Sequence, residues 1–387
     1  MKNIRKFINI TMLLFGITML TACGKDIAYP EVTLTESDLE NKFHYNLIEN
    51  EANQLVYKEL YEGFMNQSEE IYVHGNDGTP IWLLVEFVLD DYPEIFWCDA
   101  DTDMTYETRG FLREEYLVVY PEYPYSKEEA AKRKQEVEDA TAECIEACKE
   151  KKTDYEKVKY VYDYIIDTVE YVDDAPDNQN LYSSLVNKKS VCAGYAQGVQ
   201  YLLERAGVWC NTVGGEALDE NDEYGGHAWN IVKCDGEYYY VDATWGDPEE
   251  DGSEEAEKNT VEMRDYEYLC CSAAELADTH KANHEKKLPE CSSEKLNYYR
   301  KNGMYYESFD RGELLDAMQE SIADKEEYTT FKFQNEEDYR NALEELEEEL
   351  LDSALQYLVG YYGLAESNCN YTYYDDDWKI HVYWEYE

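Results

Sequence analysis

The sequence predicts an α+β fold, because segments with helical periodicity are mixed along the chain with short strand-like segments. Apolar residues recur every three or four positions in 51–65 and 154–172, which is typical of amphipathic helices. Residues 228–243 instead form two strand-like stretches joined by an Asp-Gly pair, a dipeptide typical of a two-residue hairpin turn. A hydrophobic content of 44% supplies enough apolar side chains for packed cores.

A chain of 387 residues is long enough for two or three domains. We divide it into a signal segment at 1–22, an N-terminal α+β module at 23–125, a central domain at 126–295 and a small C-terminal α+β domain at 296–387. Ser126 with Glu129 predicts the start of a helix that runs to about Lys151, and Asp154 is the predicted cap of the next helix. In the C-terminal domain, helices are predicted at 311–323 and 336–358, and no catalytic constellation is found.

The first 23 residues predict export. Three basic residues precede the apolar run 8–20, which is too short to span a bilayer about 30 Å thick and is typical of a cleaved signal. The ending Leu-Thr-Ala-Cys resembles a bacterial lipobox, which implies cleavage before Cys23 and lipid attachment to its sulfur. We therefore expect an extracytoplasmic protein anchored to the bacterial cell membrane. The alternative is an ordinary secretory signal with an incidental cysteine.

The formal net charge of −52 disfavours nucleic acid and anionic lipid headgroups as partners, because both would be repelled. Membrane contact is expected through the N-terminal lipid only. The eleven cysteines include no CxxC pair and no Cys/His cluster with zinc spacing. His280 and His284 are four residues apart but lack the HExxH pattern, so a solvated helix end is favoured over a metal site. The sequence predicts neither a metal nor a cofactor.

Cys192 lies at the start of a predicted helix. Residues 192–206 have helical periodicity, and Gly207 is a typical residue for ending such a helix. In the first turn, unpaired N–H groups and the positive end of the helix dipole stabilise a thiolate. Taken alone, this position fits a buried structural cysteine better, since free cysteines are often simply buried.

The predicted hairpin supplies a histidine and a carboxylate on one face. A two-residue Asp-Gly turn fixes the register so that Trp229 is opposite Asp242. His227 then projects from the same face as Asp242, as a diagonal neighbour within reach of a hydrogen bond. A three-residue loop would have placed the two on opposite faces.

Cys192, His227 and Asp242 together supply the parts of a thiol nucleophile system. Cys192 would attack, His227 would take and return the proton, and Asp242 would fix the imidazole tautomer and stabilise its cation. The backbone N–H of Cys192 can supply one oxyanion donor. The second donor is unassigned, with Tyr182 and Asn187 as candidates.

Three segments, SVCAGYA, GGHAWN and YYYVDATWGDP, follow one another with their reactive residues 35 and 15 positions apart. In this order they resemble the bacterial transglutaminase-like superfamily, whose fold is related to papain-like thiol proteases. The resemblance covers about residues 126–295 and implies a transglutaminase-like, papain-like core with a triad of Cys192, His227 and Asp242. Four more residues match motif positions and are interpreted as framing the triad, although packing explains any one of them equally well: Trp229, Asn230, Trp245 and Asp247.

The resemblance implies a thioester acyl-enzyme whose acyl group passes to water or to an amine. We favour hydrolysis of a peptide or isopeptide amide in a peptide or protein substrate at the cell envelope. Transfer to a lysine amine, which would make the protein a protein-glutamine acyltransferase, is the alternative. A noncatalytic surface binding module on the same fold is the alternative from another class. Acidic stretches at 219–223 and 249–255 are expected to flank the cleft and to favour cationic groups, although solvated loops explain them at least as well.

Overall fold

The computed structural model describes residues 27–98, 105–110, 115–218, 223–247, 264–283 and 287–386, with the backbone alone for 105–110 and for residue 115. The chain divides into two compact units, residues 1–127 and 128–387. The predicted signal segment with Cys23, His284 and nearly all of the two acidic stretches lie outside the described residues. Within the described ranges, we find no helix with the length and apolar character needed to cross a membrane. The division into three domains after the signal stays a prediction.

The first unit combines helices with a small antiparallel sheet of order β1-β3-β2. Helix α3 packs against β1 and α4, and α4 begins after Pro80 and ends shortly before Pro93. The elements are α1 Glu36–Leu39, α2 Phe43–Leu47, α3 Glu51–Met65, β1 Ile71–His74, α4 Ile81–Asp91, β2 Thr105–Gly110 and β3 Glu115–Tyr120.

The second unit contains the central helices and strands, followed by a C-terminal sheet. Its helices are α5 Lys127–Lys149 at the boundary, α6 Asp154–Thr168, α7 Cys192–Arg205, α8 Ala273–Leu276, α9 Tyr298–Lys301, α10 Arg311–Ala323, α11 Glu336–Glu345 and α12 Leu351–Tyr362. Its strands are β4 Glu170–Tyr171, β5 Lys189–Ser190, β6 Cys210–Leu218, β7 Tyr224–Cys234, β8 Glu237–Val241, β9 Leu269–Cys271, β10 His280–Ala282, β11 Tyr305–Tyr306, β12 Tyr328–Phe333, β13 Cys369–Tyr374 and β14 Lys379–Trp384. The predicted α+β class is confirmed.

Helix α6 begins one residue earlier than its predicted cap implies. Thr153, and not Asp154, is the capping residue: its hydroxyl accepts the Glu156 N–H at 3.2 Å, and the Glu156 carboxylate accepts the Thr153 N–H at 3.2 Å. This reciprocal pair satisfies two of the backbone donors that a helix start leaves unpaired. It therefore outcompetes an aspartate one position later.

The central sheet has the order β10-β6-β7-β8-β9, with all neighbours antiparallel. The predicted hairpin is confirmed in turn and register. Asp235 and Gly236 have φ values of 52° and 85°, the left-handed values that a type I′ turn requires, and Cys234 is opposite Glu237. Strand β8 ends at Val241, so Asp242 is the first residue beyond the strand.

Helix α7 packs against β6, β7 and α6. Its apolar face buries Val199, Leu202 and Leu203 completely, and the helix ends before Gly207, whose φ is 82°. A buried polar residue on the same helix, Gln200, accepts both the backbone N–H and the hydroxyl of Thr212 on β6, at 2.9 and 2.8 Å. The predicted helix therefore forms where expected and is fixed to the sheet.

The C-terminal sheet, of order β11-β12-β14-β13, encloses a hydrophobic core of its own with α10, α11 and α12. The predicted helix 336–358 continues to Tyr362 and contains a π-helical turn at Leu346–Leu350. Two ion pairs join this sheet to the segment between the central strands: Lys379 with Asp265 at 3.1 Å, and Lys332 with Glu267 at 2.8 Å.

The start of α7 has no room for a side chain at Gly194. A Cβ there would lie 1.9 Å from Ser190 Oγ and 2.8 Å from the carbonyl oxygen of Asn180. Gly194→Ala is expected to lower the free energy of unfolding by about 1–3 kcal/mol, because the neighbouring backbone must shift. Gly360→Ala is the matched control: this helical glycine has no atom within 4 Å of the added Cβ, and the change should stabilise by about 0.5–1 kcal/mol. Urea unfolding of both variants tests this, and equal effects at the two positions would contradict it.

Candidate active site

Cys192 is held at the first position of α7 by the chain that precedes it. A π-helical turn at Ser183–Asn187 ends at Lys188, which has a φ of 61°, and β5 follows at once. Ser184 donates to the carbonyl of Gly194 at 2.6 Å. Ser190, buried beside Ser183, donates to the carbonyl of Asn178 at 2.8 Å. These bonds fix the N-terminal turn of α7 and leave Cys192 partly accessible.

His227 lies on β7 and links Cys192 to Asp242. Its Nε2 is 2.6 Å from Asp242 Oδ2, and Cys192 lies near enough to contribute to the raised pKa of the imidazole. Because a carboxylate only accepts hydrogen bonds, Nε2 carries the proton toward Asp242, which leaves Nδ1 for the thiol. The predicted imidazole–carboxylate hydrogen bond is confirmed, and the structure brings the three predicted triad residues together.

Asp242 is 1% exposed and accepts four hydrogen bonds. Oδ1 accepts the backbone N–H groups of Thr244 and Trp245 at 2.9 and 3.2 Å. Oδ2 accepts from His227 and from a second histidine, His280, at 3.0 Å. Every lone-pair direction of the carboxylate therefore has a donor, which is the condition for burying such a charge.

The pair has opposite pKa shifts. Burial of the His227 imidazole opposes its protonation, but the charge and hydrogen bond of Asp242, with a smaller contribution from Cys192, outweigh burial and raise the pKa of His227 to about 10. Burial also opposes ionisation of Asp242, yet the two histidines hold the pKa of this carboxyl well below its usual range. The site therefore favours a histidine cation next to the thiol, which is the form that stabilises a thiolate.

The four framing residues occupy positions around these groups, and their functional roles stay predictions. Trp229 is stacked near His227, with ring centroids 5.8 Å apart. Asn230 donates to the carbonyl of Ala196 on α7 at 2.9 Å and so ties β7 to the helix that carries Cys192. Trp245 has its ring 4.6 Å from that of His280. Asp247 accepts from the hydroxyl of Tyr195 on α7 at 2.8 Å.

His280 is the residue of this site that the sequence reading missed. The interpretation as a solvated helix end is wrong: His280 is 6% exposed and begins the short strand β10, which pairs with β6 at Ala217. Two histidines four residues apart resembled one helical turn, and a three-residue strand is too short to show alternation. The usable signal would have been the scarcity of histidine, six in the chain.

One of the two candidate oxyanion donors is engaged elsewhere. The hydroxyl of Tyr182 donates to Glu136 at 2.7 Å, and the guanidinium of Arg133 lies 4.6 Å from the centre of its ring. Asn187 ends the π-helical turn before Lys188. The second oxyanion donor remains unassigned.

Among the side chains that the structure describes, one cluster has donor atoms close enough to share a metal ion. It consists of His227, Asp242 and His280, whose donor atoms lie within 4.8 Å of one another. Each imidazole already uses its Nε2 in a hydrogen bond to the carboxylate, so an ion would have to replace both of these protons. The absence of a metal therefore stays our prediction.

A comparison with protein families identifies the central region. Residues 142–243 match the sequence profile of the transglutaminase-like superfamily, and this range includes Cys192, His227 and Asp242. This part of the chain is a transglutaminase-like domain. His280 lies beyond the matched range.

Curated relatives and solved structures overlap the chain only in part. Kyphoscoliosis peptidase of Homo sapiens is 31% identical over 106 residues, which are 24% of this chain and 16% of that protein, and the Mus musculus protein is 30% identical over the same lengths. The chain thus spans 16% of the length of these curated relatives. A crystal structure of a TGase overlaps 49% of this chain and 53% of its own, at 12% identity and a TM-score of 0.26. A candidate cysteine protease from Cytophaga hutchinsonii overlaps 36% of this chain and 62% of its own, at 14% identity and a TM-score of 0.25.

The His227–Asp242 pair predicts how Cys192 responds to pH. Alkylation of Cys192 should be fast at pH 6 and should slow at least tenfold in His227→Ala, because the neighbouring cation that stabilises the thiolate is lost. Rates are measured by peptide mass spectrometry between pH 5 and 10. Cys369 is the internal control. Its thiol, like that of Cys192, is partly accessible, but burial and nearby carboxylates raise its pKa to about 11. Equal labelling of the two thiols at pH 6 would contradict an assembled site.

The same pair makes stability depend on pH. The pKa of His227 is raised from its unfolded value of 6.5 to about 10. Its contribution to the free energy of unfolding is therefore complete below about pH 6.5 and is lost as pH rises through 10. The lowered pKa of Asp242 means that its carboxylate stabilises the folded protein above about pH 4, and that this stabilisation is lost in stronger acid. Asp242→Asn should therefore cost about 3–5 kcal/mol at pH 6 and less at pH 10. Urea unfolding at the two pH values measures this, and a cost independent of pH would refute the linkage.

Proposed function

We propose that the protein is a thiol enzyme that hydrolyses a peptide or isopeptide amide through a thioester on Cys192. One observation carries the proposal: a partly accessible cysteine at a helix start lies beside a histidine that is paired with a buried, fully hydrogen-bonded aspartate. The transglutaminase-like domain around it supports this reading. A binding module would have no need to keep a buried carboxylate beside a histidine and a thiol.

The reaction follows from the roles of the three side chains. The Cys192 sulfur forms a bond to the amide carbon, its proton having passed to Nδ1 of His227, and the backbone N–H of Cys192 stabilises the oxyanion. The C–N bond breaks as His227 returns the proton to the leaving amine. Water then attacks the thioester, His227 takes its proton, and the acid leaves with the thiol restored. Asp242 keeps the proton of Nε2 in place throughout and stabilises the imidazolium.

We place this activity at the outer face of a bacterial cell membrane. The support is the N-terminal sequence, with its basic and apolar segments before Cys23 and its likeness to a lipobox. The substrate would then be a peptide or protein of the cell envelope, and lipid on Cys23 would be the contact with the membrane.

Cys192→Ala is expected to abolish amide cleavage, because it removes the sulfur on which the thioester is proposed to form. The assay follows a library of quenched fluorescent peptides and isopeptides with the full-length protein in detergent. Cys369→Ala is the matched control: it removes the other partly accessible free cysteine among the described residues and should leave cleavage unchanged.

The acceptor is tested in the same assay by adding a fluorescent primary amine. Hydrolysis predicts that a Cys192-dependent acid product dominates at millimolar amine. A Cys192-dependent amide with the added amine as the main product would replace hydrolysis by acyl transfer. Cleavage that survives Cys192→Ala would overturn the proposed function itself.

A further inference from the structure

His280 shares the oxygen of Asp242 that His227 uses. Its Nε2 is 3.0 Å from Asp242 Oδ2, and its Nδ1 is 2.8 Å from the hydroxyl of Thr279. Since Oδ2 can only accept, Nε2 of His280 is the donor in the bond to Asp242. The side chain of His280 is 1% exposed, and its ring contacts those of Trp245 and Trp229 at centroid distances of 4.6 and 5.1 Å.

The central sheet brings His280 to the triad across strand β6. His280 is opposite Ala217, and His227 is opposite Gly215, two positions away on β6, so both histidines lie on one face of the sheet. Strand β10 and the Trp229 ring approach β6 closely at Gly215: a Cβ there would lie 2.7 Å from the Trp229 ring and 2.2 Å from the carbonyl of Lys281. A side chain at position 215 would therefore displace β10, the strand that carries His280.

Three other titratable groups close to Asp242 are uncharged. They come from α6, β9 and the turn before β9: burial, together with the nearby negative charges, raises the pKa values of Tyr162, Cys271 and Tyr268. Cys192 reaches this cluster through His227. Among the described residues, two side chains donate to Asp242, those of His227 and His280. Of these, His280 is the one that takes no part in the proposed proton transfer.

We propose that His280 is a positioning residue for the proposed active site, an inference that rests on the proposed function: it fixes the Asp242 carboxylate so that Oδ2 stays aimed at His227 through the reaction. Two backbone N–H groups hold Oδ1, and His280 holds Oδ2 independently of His227. When His227 gains or loses its Nδ1 proton, the carboxylate does not have to reorient. The pairing partner of His227 is thus preorganised by a residue outside the triad.

Two variants separate the hydrogen bond of His280 from its packing. His280→Leu keeps an apolar side chain in the space but removes the donor. His280→Gln keeps an N–H donor at about the position of Nε2. His381→Leu is the matched control, since His381 is also buried and its Nδ1 also faces a threonine hydroxyl, Thr330, at 2.8 Å, but it lies in the C-terminal sheet. Thermal unfolding checks that each full-length variant is folded.

The decisive readout is the pH profile of Cys192 alkylation in the full-length protein, read by peptide mass spectrometry. We expect His280→Leu to slow labelling about tenfold at pH 6 and to move the acidic limb upward by about one pH unit, which is the effect of losing one hydrogen bond to a charged group. His280→Gln should stay within about twofold of the unaltered protein, given that its amide restores that bond. His381→Leu should not differ from it.

Two results would overturn the role of His280. A folded His280→Leu protein whose profile overlays that of the unaltered protein would make His280 a packing residue. Equal slowing in His280→Leu and His280→Gln would assign the effect to the ring and not to the hydrogen bond.

Failure of the proposed function is distinguishable, because the unaltered protein itself would then label slowly at pH 6. In that case the low-field Nε2–H resonance of His227 in histidine-15N protein gives the answer. Its loss in His280→Leu but not in Cys192→Ala supports positioning, and its persistence in both refutes it.

Discussion

The buried negative charge of Asp242 is the constraint on which the rest of the central domain depends. An unpaired carboxylate at 1% exposure would cost several kcal/mol, so the fold must deliver donors to all sides of it. The donors come from three separate parts of the chain: the turn at 244–245, strand β7 and strand β10. Three features of the fold are therefore needed to supply hydrogen bonds to this one charge: the hairpin register, the turn after β8 and the pairing of β10 with β6. The candidate site and the sheet thus stabilise each other.

The cysteine is positioned against this charge by hydrogen bonds that radiate from α7. Gln200 fixes the helix to β6, the carbonyl of Ala196 accepts from Asn230 on β7, and Tyr195 donates to Asp247 beyond the turn. Each partner belongs to a different element, so the helix cannot slide or rotate without breaking at least one bond. Gly246 allows the turn to approach α6, because a Cβ there would overlap the hydroxyl of Tyr162. The thiol position is thus set by the whole layer of helix and sheet.

Short-range patterns predicted much of this arrangement, and long-range pairings did not. The Asp-Gly turn fixes register through backbone geometry alone, so the His227–Asp242 bond could be inferred from two letters of sequence and the side-chain parity of strands. His280 could not, since a strand of three residues has no readable period and its partner on β6 lies more than sixty positions away. The same holds for Tyr182, whose hydroxyl is taken by Glu136 on a preceding helix. The local sequence identifies the reactive side chains, whereas the order of strands in the sheet determines which of them come into contact.

The C-terminal sheet has a physical connection to the site even though it holds no triad residue. The backbone N–H of Asp242 donates to the carbonyl of Tyr268, and the backbone N–H of Asp265 donates to the carbonyl of Gly246. Residues 265–268 therefore hold the turn that carries the carboxylate in place. The segment 265–268 is in turn held by ion pairs to Lys379 and Lys332 of the C-terminal sheet. Lys379 is 2% exposed; burial opposes its charge, but Asp265, Asp377 and Glu267 raise its pKa, so it remains a cation. Removing Lys379 would leave Asp265 without its closest cation. A sheet with a core of its own therefore stabilises the aspartate turn electrostatically, although it contributes no residue to the triad.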